Sequence, residues 1–214
     1  MCIRDSLHTP PNIDVLQLAH ECRESSEPIT KTIPTEPYLL CVGSTLGRKN
    51  LDVVLDALSV LKKKQGRCPT LVLAGTVRRR VRKVLTTGRY QSLCNDVLFV
   101  ANPNQAELVR LYRGCLALIL PSFIEGWGLP AGEALWLGRP ALCSDIPVLR
   151  EVCGDRGLYF DPLSSEALAA LISDLTANPG KGQKGDKNLP ALRSWAMVAK
   201  ELLDIVSKKP SDPT

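Results

Sequence analysis

From Tyr38 to Phe160 the sequence switches repeatedly between short apolar runs and stretches of helical period, joined by short connections. Tyr38-Leu-Leu-Cys-Val-Gly43, Thr70-Leu-Val-Leu-Ala-Gly75, Val97-Leu-Phe-Val100, Cys115-Leu-Ala-Leu-Ile-Leu120, Ala141-Leu-Cys143 and Gly157-Leu-Tyr-Phe160 are nearly continuous in apolar character. Runs of that length and composition suit strands covered on both faces. Between them, Asn50 to Lys64 sets Leu51, Val54, Leu55, Leu58 and Leu61 on one helical face, and Gln105 to Arg113 carries Leu108, Leu111 and Tyr112. A further helix spans Ser165 to Leu175, and a short one follows the turn at Asp145-Ile-Pro147. The expected fold is α/β, a Rossmann-like parallel sheet with helices on both faces. Ligands of such sheets sit at the carboxyl ends of the strands, which puts the turns after Gly43 and after Leu120 at the ligand edge.

The second of these turns is the richest in chemistry. Glu125-Gly-Trp-Gly-Leu-Pro-Ala-Gly-Glu133 sets two carboxylates on either side of a glycine-broken turn, with Glu133-Ala-Leu-Trp-Leu137 reading as a helix start. Gly126 and Gly128 allow close backbone approach to a ligand. N–H groups at a helix opening suit phosphate or sugar oxygens, and ionised carboxylates only accept hydrogen bonds, which suits hydroxyls. For Glu133 alone, a charge favoured by the dipole in a first helical turn is an adequate explanation; for the pair it is not. Before the first helix, Gly43-Ser-Thr-Leu-Gly-Arg-Lys-Asn50 sets Arg48 and Lys49 where a helix N-terminus disfavours cations, so their presence asks for an anion.

These stretches resemble family 4 of the retaining glycosyltransferases, two-domain enzymes of the GT-B fold. The family's paired-glutamate motif is commonly Glu-Gly-Phe-Gly-Leu-Pro-x-x-Glu-Ala, and Trp127 stands where Phe is commoner. The resemblance runs from Tyr38 to Ile172, with a weaker echo near Trp195, and takes in Pro121-Ser122, Gly138-Arg-Pro140, Ser144-Asp145, Glu151-Val-Cys-Gly-Asp155 and Leu158-Tyr-Phe-Asp-Pro162. It implies that this is the C-terminal, donor-binding domain. Arg48 and Lys49 would hold the donor diphosphate, with Gly47 in place of the usual Pro. Glu125 would lie beside the donor sugar as the catalytic residue of this half, and Glu133 would bond the ribose hydroxyls. Gly126, Trp127, Gly128 and Leu129 would complete the donor site, the Trp127 ring serving mainly in packing. The loop at Val100 and Ala101 would meet the base, although the family usually has Gly where Ala101 stands. Glu151 and Asp155 look structural, capping or bracing their turn.

The implied reaction is transfer of a hexose, mannose being one candidate, from a nucleotide-diphosphate sugar to a glycan or lipid-linked acceptor. By the same resemblance it needs no metal or other cofactor, and it belongs to the bacterial building of surface polysaccharide. A nucleotide-sugar-binding module without transferase activity, or an inactive fragment, fits the same residues. An epimerase or phosphorylase of the same architecture is a second rival, but no pyridoxal phosphate lysine motif is evident. A dinucleotide oxidoreductase is disfavoured because Gly-x-Gly-x-x-Gly is missing after the first strand.

Composition narrows the setting. No apolar run approaches the roughly 18–20 residues of a membrane span, and no signal peptide is evident, so the expected location is cytoplasmic, extending to peripheral contact at the inner face of the membrane. The net charge of +5 suits an anionic partner only mildly. The densest run, Arg78-Arg-Arg-Val-Arg-Lys83, reads as a solvated helix face, and without interleaved aromatics or a known motif no nucleic-acid partner is expected. Lys62, Lys63 and Lys64 end a helix, where the dipole favours cations. The 8 cysteines are scattered without a Cys-x-x-Cys pair, and Cys41, Cys115 and Cys143 fall in strands as reduced core thiols.

Met1-Cys-Ile-Arg-Asp-Ser6 match the translation of an adapter used in transposase-based sequencing libraries, which implies an open reading frame cut short at its N-terminus and a missing N-terminal Rossmann-like domain. Residues 1–36 are accordingly expected to be this scar and a linker remnant, with His8 and His20 inert. Residues 37–177 are expected to form the nucleotide-sugar-binding domain, 178–188 an exposed loop, 189–207 an amphipathic helix bearing Trp195, Val198, Leu202, Leu203 and Val206, and 208–214 a tail.

Overall fold

The computed structural model describes residues 14–35, 37–43, 48–76, 79–179 and 191–207. Strands β1 (Tyr38–Val42), β2 (Thr70–Gly75), β3 (Val97–Ala101), β4 (Cys115–Leu120), β5 (Ala141–Ser144) and β6 (Leu158–Phe160) form one sheet in the order β3-β2-β1-β4-β5-β6. Every adjacent pair is parallel. The chain winds outward in both directions from the central pair β1 and β4, so the topological switch point, and the crevice it opens, lies at their carboxyl ends. The helices are α1 (Leu51–Gln65), α2 (Arg79–Thr87), α3 (Gln105–Gly114), α4 (Leu129–Trp136), α5 (Pro147–Cys153), α6 (Ser165–Ala177) and α7 (Trp195–Ser207).

Strand parity divides the core. Leu39, Cys41, Leu71, Leu73 and Ile119 join buried residues of α1, α2 and α6 on one face. Tyr38, Leu40, Val72, Ala74, Leu118 and Leu120 join those of α3, α4 and α5 on the other. Two covered faces are the reason the strands read as unbroken apolar runs rather than as alternating ones. Cys41, Cys115 and Cys143 are buried within their strands, as expected. Truncating a fully buried leucine such as Leu118 to Ala costs about 2–5 kcal/mol at such sites.

Local signals fix the helix ends. Asn50 takes the left-handed conformation at φ 51° before α1, a region that asparagine tolerates better than most residues. Its Nδ2 donates to the Pro162 carbonyl at 2.7 Å, tying the loop after β1 to the loop after β6. Gly66, at φ 72°, closes α1 by donating its N–H to the Lys62 carbonyl. Lys62 itself reaches Asp96 at 2.6 Å, in addition to its favourable place in the last turn. Arg79, Arg82 and Lys83 lie exposed on α2 while Val81 and Leu85 face inward, so the described part of the basic run is a solvated helix face as expected.

The segment before β1 departs from expectation. Residues 14–35 form no helix or strand, yet Ala19, His20 and Cys22 are buried against the α3–α5 face and the stretch before α7. His20 Nε2 pairs with the Val152 carbonyl at 2.9 Å, its Nδ1 accepts from the Arg193 N–H at 3.0 Å, and its own N–H donates to the Arg193 carbonyl. Glu21 accepts from the N–H of Trp195, the first residue of α7, at 2.7 Å. Further along, Thr30 and Lys31 bond Glu107 of α3. His20 is therefore a structural fastener rather than an inert residue. A low-periodicity, Pro-rich segment gives no sequence sign of such docking, because its contacts are made by backbone groups and isolated side chains.

Two boundaries also move. Helix α4 begins at Leu129, with Gly128 as its N-cap and Pro130 in the first turn, so Glu133 lies in the second turn and a first-turn dipole no longer accounts for it. Helix α7 begins at Trp195; Ala191 to Ser194 are not helical. It buries Val198 but leaves Met197, Leu202, Leu203 and Val206 exposed. His8, the adapter-like start, Ser44 to Gly47, Arg78, most of the expected loop at 178–188 and the tail lie outside the described residues.

Candidate functional site

The loops after β1 and β4 meet at the switch point. The Phe123 N–H donates to the Arg48 carbonyl at 2.9 Å, fixing one loop against the other. Lys49 Nζ then reaches Glu125 Oε1 at 2.7 Å, and the buried Ser122 hydroxyl donates to the same oxygen at 2.6 Å. The Glu125 side chain is only 12% exposed and that of Lys49 23%, so this pair is less screened than a surface ion pair. An anionic partner for Lys49 is thus present within the chain itself, Glu125. Arg48 remains exposed beside it.

Backbone geometry narrows the crevice further. Gly128 sits at φ 97°, and a Cβ there would come within 2.5 Å of Leu149 Cδ2. Only glycine lets the turn lie this close to α5. The N–H groups of Gly126, Trp127 and Gly128 make no backbone hydrogen bond among the described residues. The Trp127 ring is half-buried against the α3–α5 core, which fits the packing role expected of it, yet its Nε1 is buried without a partner. Leu129, the first residue of α4, is 38% exposed, and Phe123 and Ile124 are exposed on the same turn.

Glu133 stands apart from this cluster. Its Oε2 accepts a 2.7 Å hydrogen bond from the hydroxyl of Tyr112, a fully buried residue of α3. Burial pushes the Glu133 carboxyl above the usual carboxylate range, and the Tyr112 bond works against that rise. Cys22 of the N-terminal segment lies close by. Its thiol is pushed up to about 11, by burial first and then by the Glu133 charge. Val100 and Ala101 end β3, two strands away from β1, and the Val100 side chain belongs to the core, leaving its backbone as the part able to meet a ligand. Next to them Asn102 takes φ 45° and its N–H donates to the Gly75 carbonyl. Glu151 is exposed and accepts from Gln17 at 3.2 Å, bracing the N-terminal segment rather than its own turn. Asp155 is exposed.

The structure therefore brings Arg48, Lys49, Glu125 and the Gly126–Leu129 backbone together, and holds Glu133 through a separate partner. Reading the sequence missed the parts of Ser122 and Tyr112. Ser122 had a weak signal, a hydroxyl three residues before the acid; Tyr112 had none beyond its core position on a helix.

The model of a known family, described as glycosyl transferases group 1, matches residues 23–190. The chain belongs to the group 1 glycosyl transferases. Among relatives in this family, O-antigen chain mannosyltransferase B of Escherichia coli is 30% identical over 149 residues, covering 63% of this chain and 35% of that protein. O-antigen chain mannosyltransferase RfbU of Salmonella typhimurium is 26% identical over 182 residues, covering 83% and 49%. The chain thus spans half or less of the length of these relatives. A solved structure of TarM with fondaparinux, alpha-GlcNAc-glycerol and UDP superposes with a TM-score of 0.72 at 16% identity, over 95% of this chain and 41% of that one. WaaG, a glycosyltransferase involved in lipopolysaccharide biosynthesis, gives 0.60 at 22% identity, over 82% and 48%. The GT-B, Rossmann-like fold class expected from the sequence is borne out.

Proposed function

We propose that this chain supplies the donor-binding half of a retaining hexosyltransferase that uses a nucleotide-diphosphate sugar. The observation that carries the reading is the Arg48–Lys49–Glu125 cluster at the β1/β4 crevice, beside the Gly126–Gly128 N–H groups and the start of α4. Cations and helix N–H groups at one point are what a departing diphosphate needs: charge that grows during reaction is met by donors already in place. In this reading Arg48 binds the diphosphate by its planar fork and Lys49 by its point charge. Lys49 turns from Glu125 toward the phosphates as they bind, which frees Glu125 to face the donor sugar. Glu133 takes the ribose hydroxyls, and the backbone at Val100 and Ala101 meets the base.

The named relatives make mannose the favoured hexose and a growing surface polysaccharide the favoured acceptor. A second Rossmann-like domain forms the other wall of the cleft and docks on the exposed apolar residues of α7, which fits the share of the relatives' length that this chain spans. No metal enters the reading, since Arg48, Lys49 and the N–H groups carry the compensating charge. Residues 57–95 contain ten Lys or Arg and no Asp or Glu, a distribution that suits peripheral contact with an anionic membrane surface through α2. No helix among the described residues is long and apolar enough to cross a membrane.

The test is an assay of the purified chain, alone and joined to an upstream domain from a relative, with a panel of nucleotide sugars and glycan acceptors. The chain alone should bind a nucleoside diphosphate weakly and transfer nothing; the completed protein should transfer a hexose with retention at the anomeric carbon. Binding of nucleotide sugar without transfer in every completed form would favour a binding module instead, and robust transfer by the chain alone would overturn the division of labour.

A further inference from the structure

The Tyr112–Glu133 pair does something that the motif containing Glu133 does not specify. Tyr112 belongs to α3, is fully buried, and donates its hydroxyl to Oε2 of Glu133 at 2.7 Å. Glu133 is only partly buried, and its other oxygen, Oε1, has no hydrogen bond among the described residues. The carboxylate thus has one oxygen fastened from behind and one open. The fastening comes from a rigid element: α3 is closed at its start by a capping box between Asn104 and Glu107, and its Leu111 carbonyl is bonded by Tyr38 of β1 at 2.7 Å. Around the pair stand few charges. Cys22 of the N-terminal segment lies near both groups, held by Gln105 at 3.6 Å, and Cys115 lies near Tyr112. His20 packs on the turn of α4 beside Glu133, where a Cβ on Gly132 would meet its backbone at 3.3 Å.

We infer that Tyr112 is a positioning residue for donor recognition, orienting the Glu133 carboxylate and holding it ionised so that Oε1 can accept from the ribose hydroxyls. This rests on the reading of Glu133 given above. The physical need is plain. Burial favours the neutral carboxyl, and a neutral carboxyl offers a poorer, ambiguous partner to a diol. A phenol hydroxyl aimed at one oxygen stabilises the charged form and fixes the rotamer, without adding a positive charge that would compete for the diphosphate. Burial raises the Tyr112 hydroxyl well above its ordinary range, with the Glu133 charge adding to the rise, so the phenol stays protonated and remains the donor.

The sign of the pH effect follows. A carboxylate whose binding competence depends on ionisation loses it as pH falls through its pKa, and removing the Tyr112 hydroxyl moves that loss to higher pH. Tyr112→Phe in the full chain is titrated with uridine and guanosine diphosphates and with their 2′,3′-dideoxy forms, from neutral to mildly acidic pH. The expected result is a weakening of about tenfold for the ribose ligands, growing as pH falls, with little change for the dideoxy ligands. Glu133→Gln should weaken ribose ligands at every pH and flatten the dependence. In parallel, the Glu133 carboxyl carbon is followed by NMR in the free protein, and its midpoint should rise in Tyr112→Phe. In the unmodified chain the Tyr112 Cζ resonance should titrate with the same midpoint, a measurement that needs no variant to fold. A pH-independent loss shared by ribose and dideoxy ligands, or a Tyr112 resonance blind to Glu133, overturns the role of Tyr112. If Glu133→Gln itself leaves ribose ligands unaffected, the ribose assignment of Glu133 fails instead.

Discussion

Glu107 and Glu133 are both carboxylates on the α3–α4 side of the sheet, and they are built in opposite ways. Glu107 is fully buried and saturated: Thr30 N–H and hydroxyl, Lys31 N–H and ammonium, and the Asn104 N–H all donate to it. The Lys31 bond, followed by the backbone donors, holds its carboxyl far below the usual range despite burial. Glu133 is partly exposed, has one donor, and is raised by burial. A carboxylate with every lone pair taken is a knot that holds a segment in place. One with a free oxygen at the ligand edge is available. Glu125 lies between them, since its two donors, Lys49 and Ser122, share one oxygen and one of the two belongs to the proposed diphosphate site.

The largest effect should come from breaking the knot. Glu107→Ala should strand several donors at once and lower the melting temperature by several degrees, more than any of the substitutions below. Because its pKa is depressed on folding, Glu107 contributes stability that is complete above the unfolded carboxylate range and declines as pH falls below about 4. Glu107→Gln should therefore flatten the acid side of the stability profile, and thermal melts from pH 7 to pH 3 check this. An unaltered acid limb would mean that the node is not what the N-terminal segment depends on.

Next in size is the cation pair. Replacing Arg48 and Lys49 together by Ala should reduce nucleoside diphosphate binding by about 3 kcal/mol or more, roughly a hundredfold. A nucleoside without phosphates should lose far less. Equal losses by calorimetry would show that the pair supports the loop and not the phosphates.

The two glutamates of the turn should then separate. Glu133→Gln should weaken free nucleoside diphosphate and donor alike by about tenfold. Glu125→Gln should leave the free diphosphate bound and lower turnover in a completed enzyme. Parallel losses of diphosphate affinity in both would remove the distinction between ribose and sugar contacts.

The smallest effect should lie at the fastener. His20→Ala leaves the Val152 carbonyl and the Arg193 N–H without their side-chain partner, costing about 1 kcal/mol. Limited proteolysis should show earlier cleavage between residues 14 and 35, with diphosphate affinity little changed. A loss of affinity as large as that of Glu133→Gln would tie the segment to the site rather than to the scaffold alone.

Much of this architecture is legible in the sequence. The six strands match the apolar runs to within a residue or so at each end because a sheet covered on both faces demands continuous apolar sequence, a local signal. The Glu125–Glu133 turn was equally legible, since glycines, an N-terminal proline and acids at fixed spacing are local chemistry. The start of α4 lies four residues before the start that Glu133 suggests when taken as a first-turn acid, because Gly128 and Pro130 set the boundary. The docking of residues 14–35 is invisible in the sequence, because it depends on backbone donors meeting Glu107 and on a histidine held between helix α5 and the stretch before α7, both more than a hundred residues away.

The sequence by itself determined the α/β class, the strand and helix succession and the ligand edge, because each follows from periodicity and from turn residues whose preferences are set by their own backbones. Tertiary structure alone decided the strand order, the Lys49–Glu125 contact across 76 positions, the Tyr112 hold on Glu133 and the burial of His20. Those depend on which distant groups the winding of the sheet brings within about 3 Å, the range in which a hydrogen bond forms. No local pattern encodes that distance.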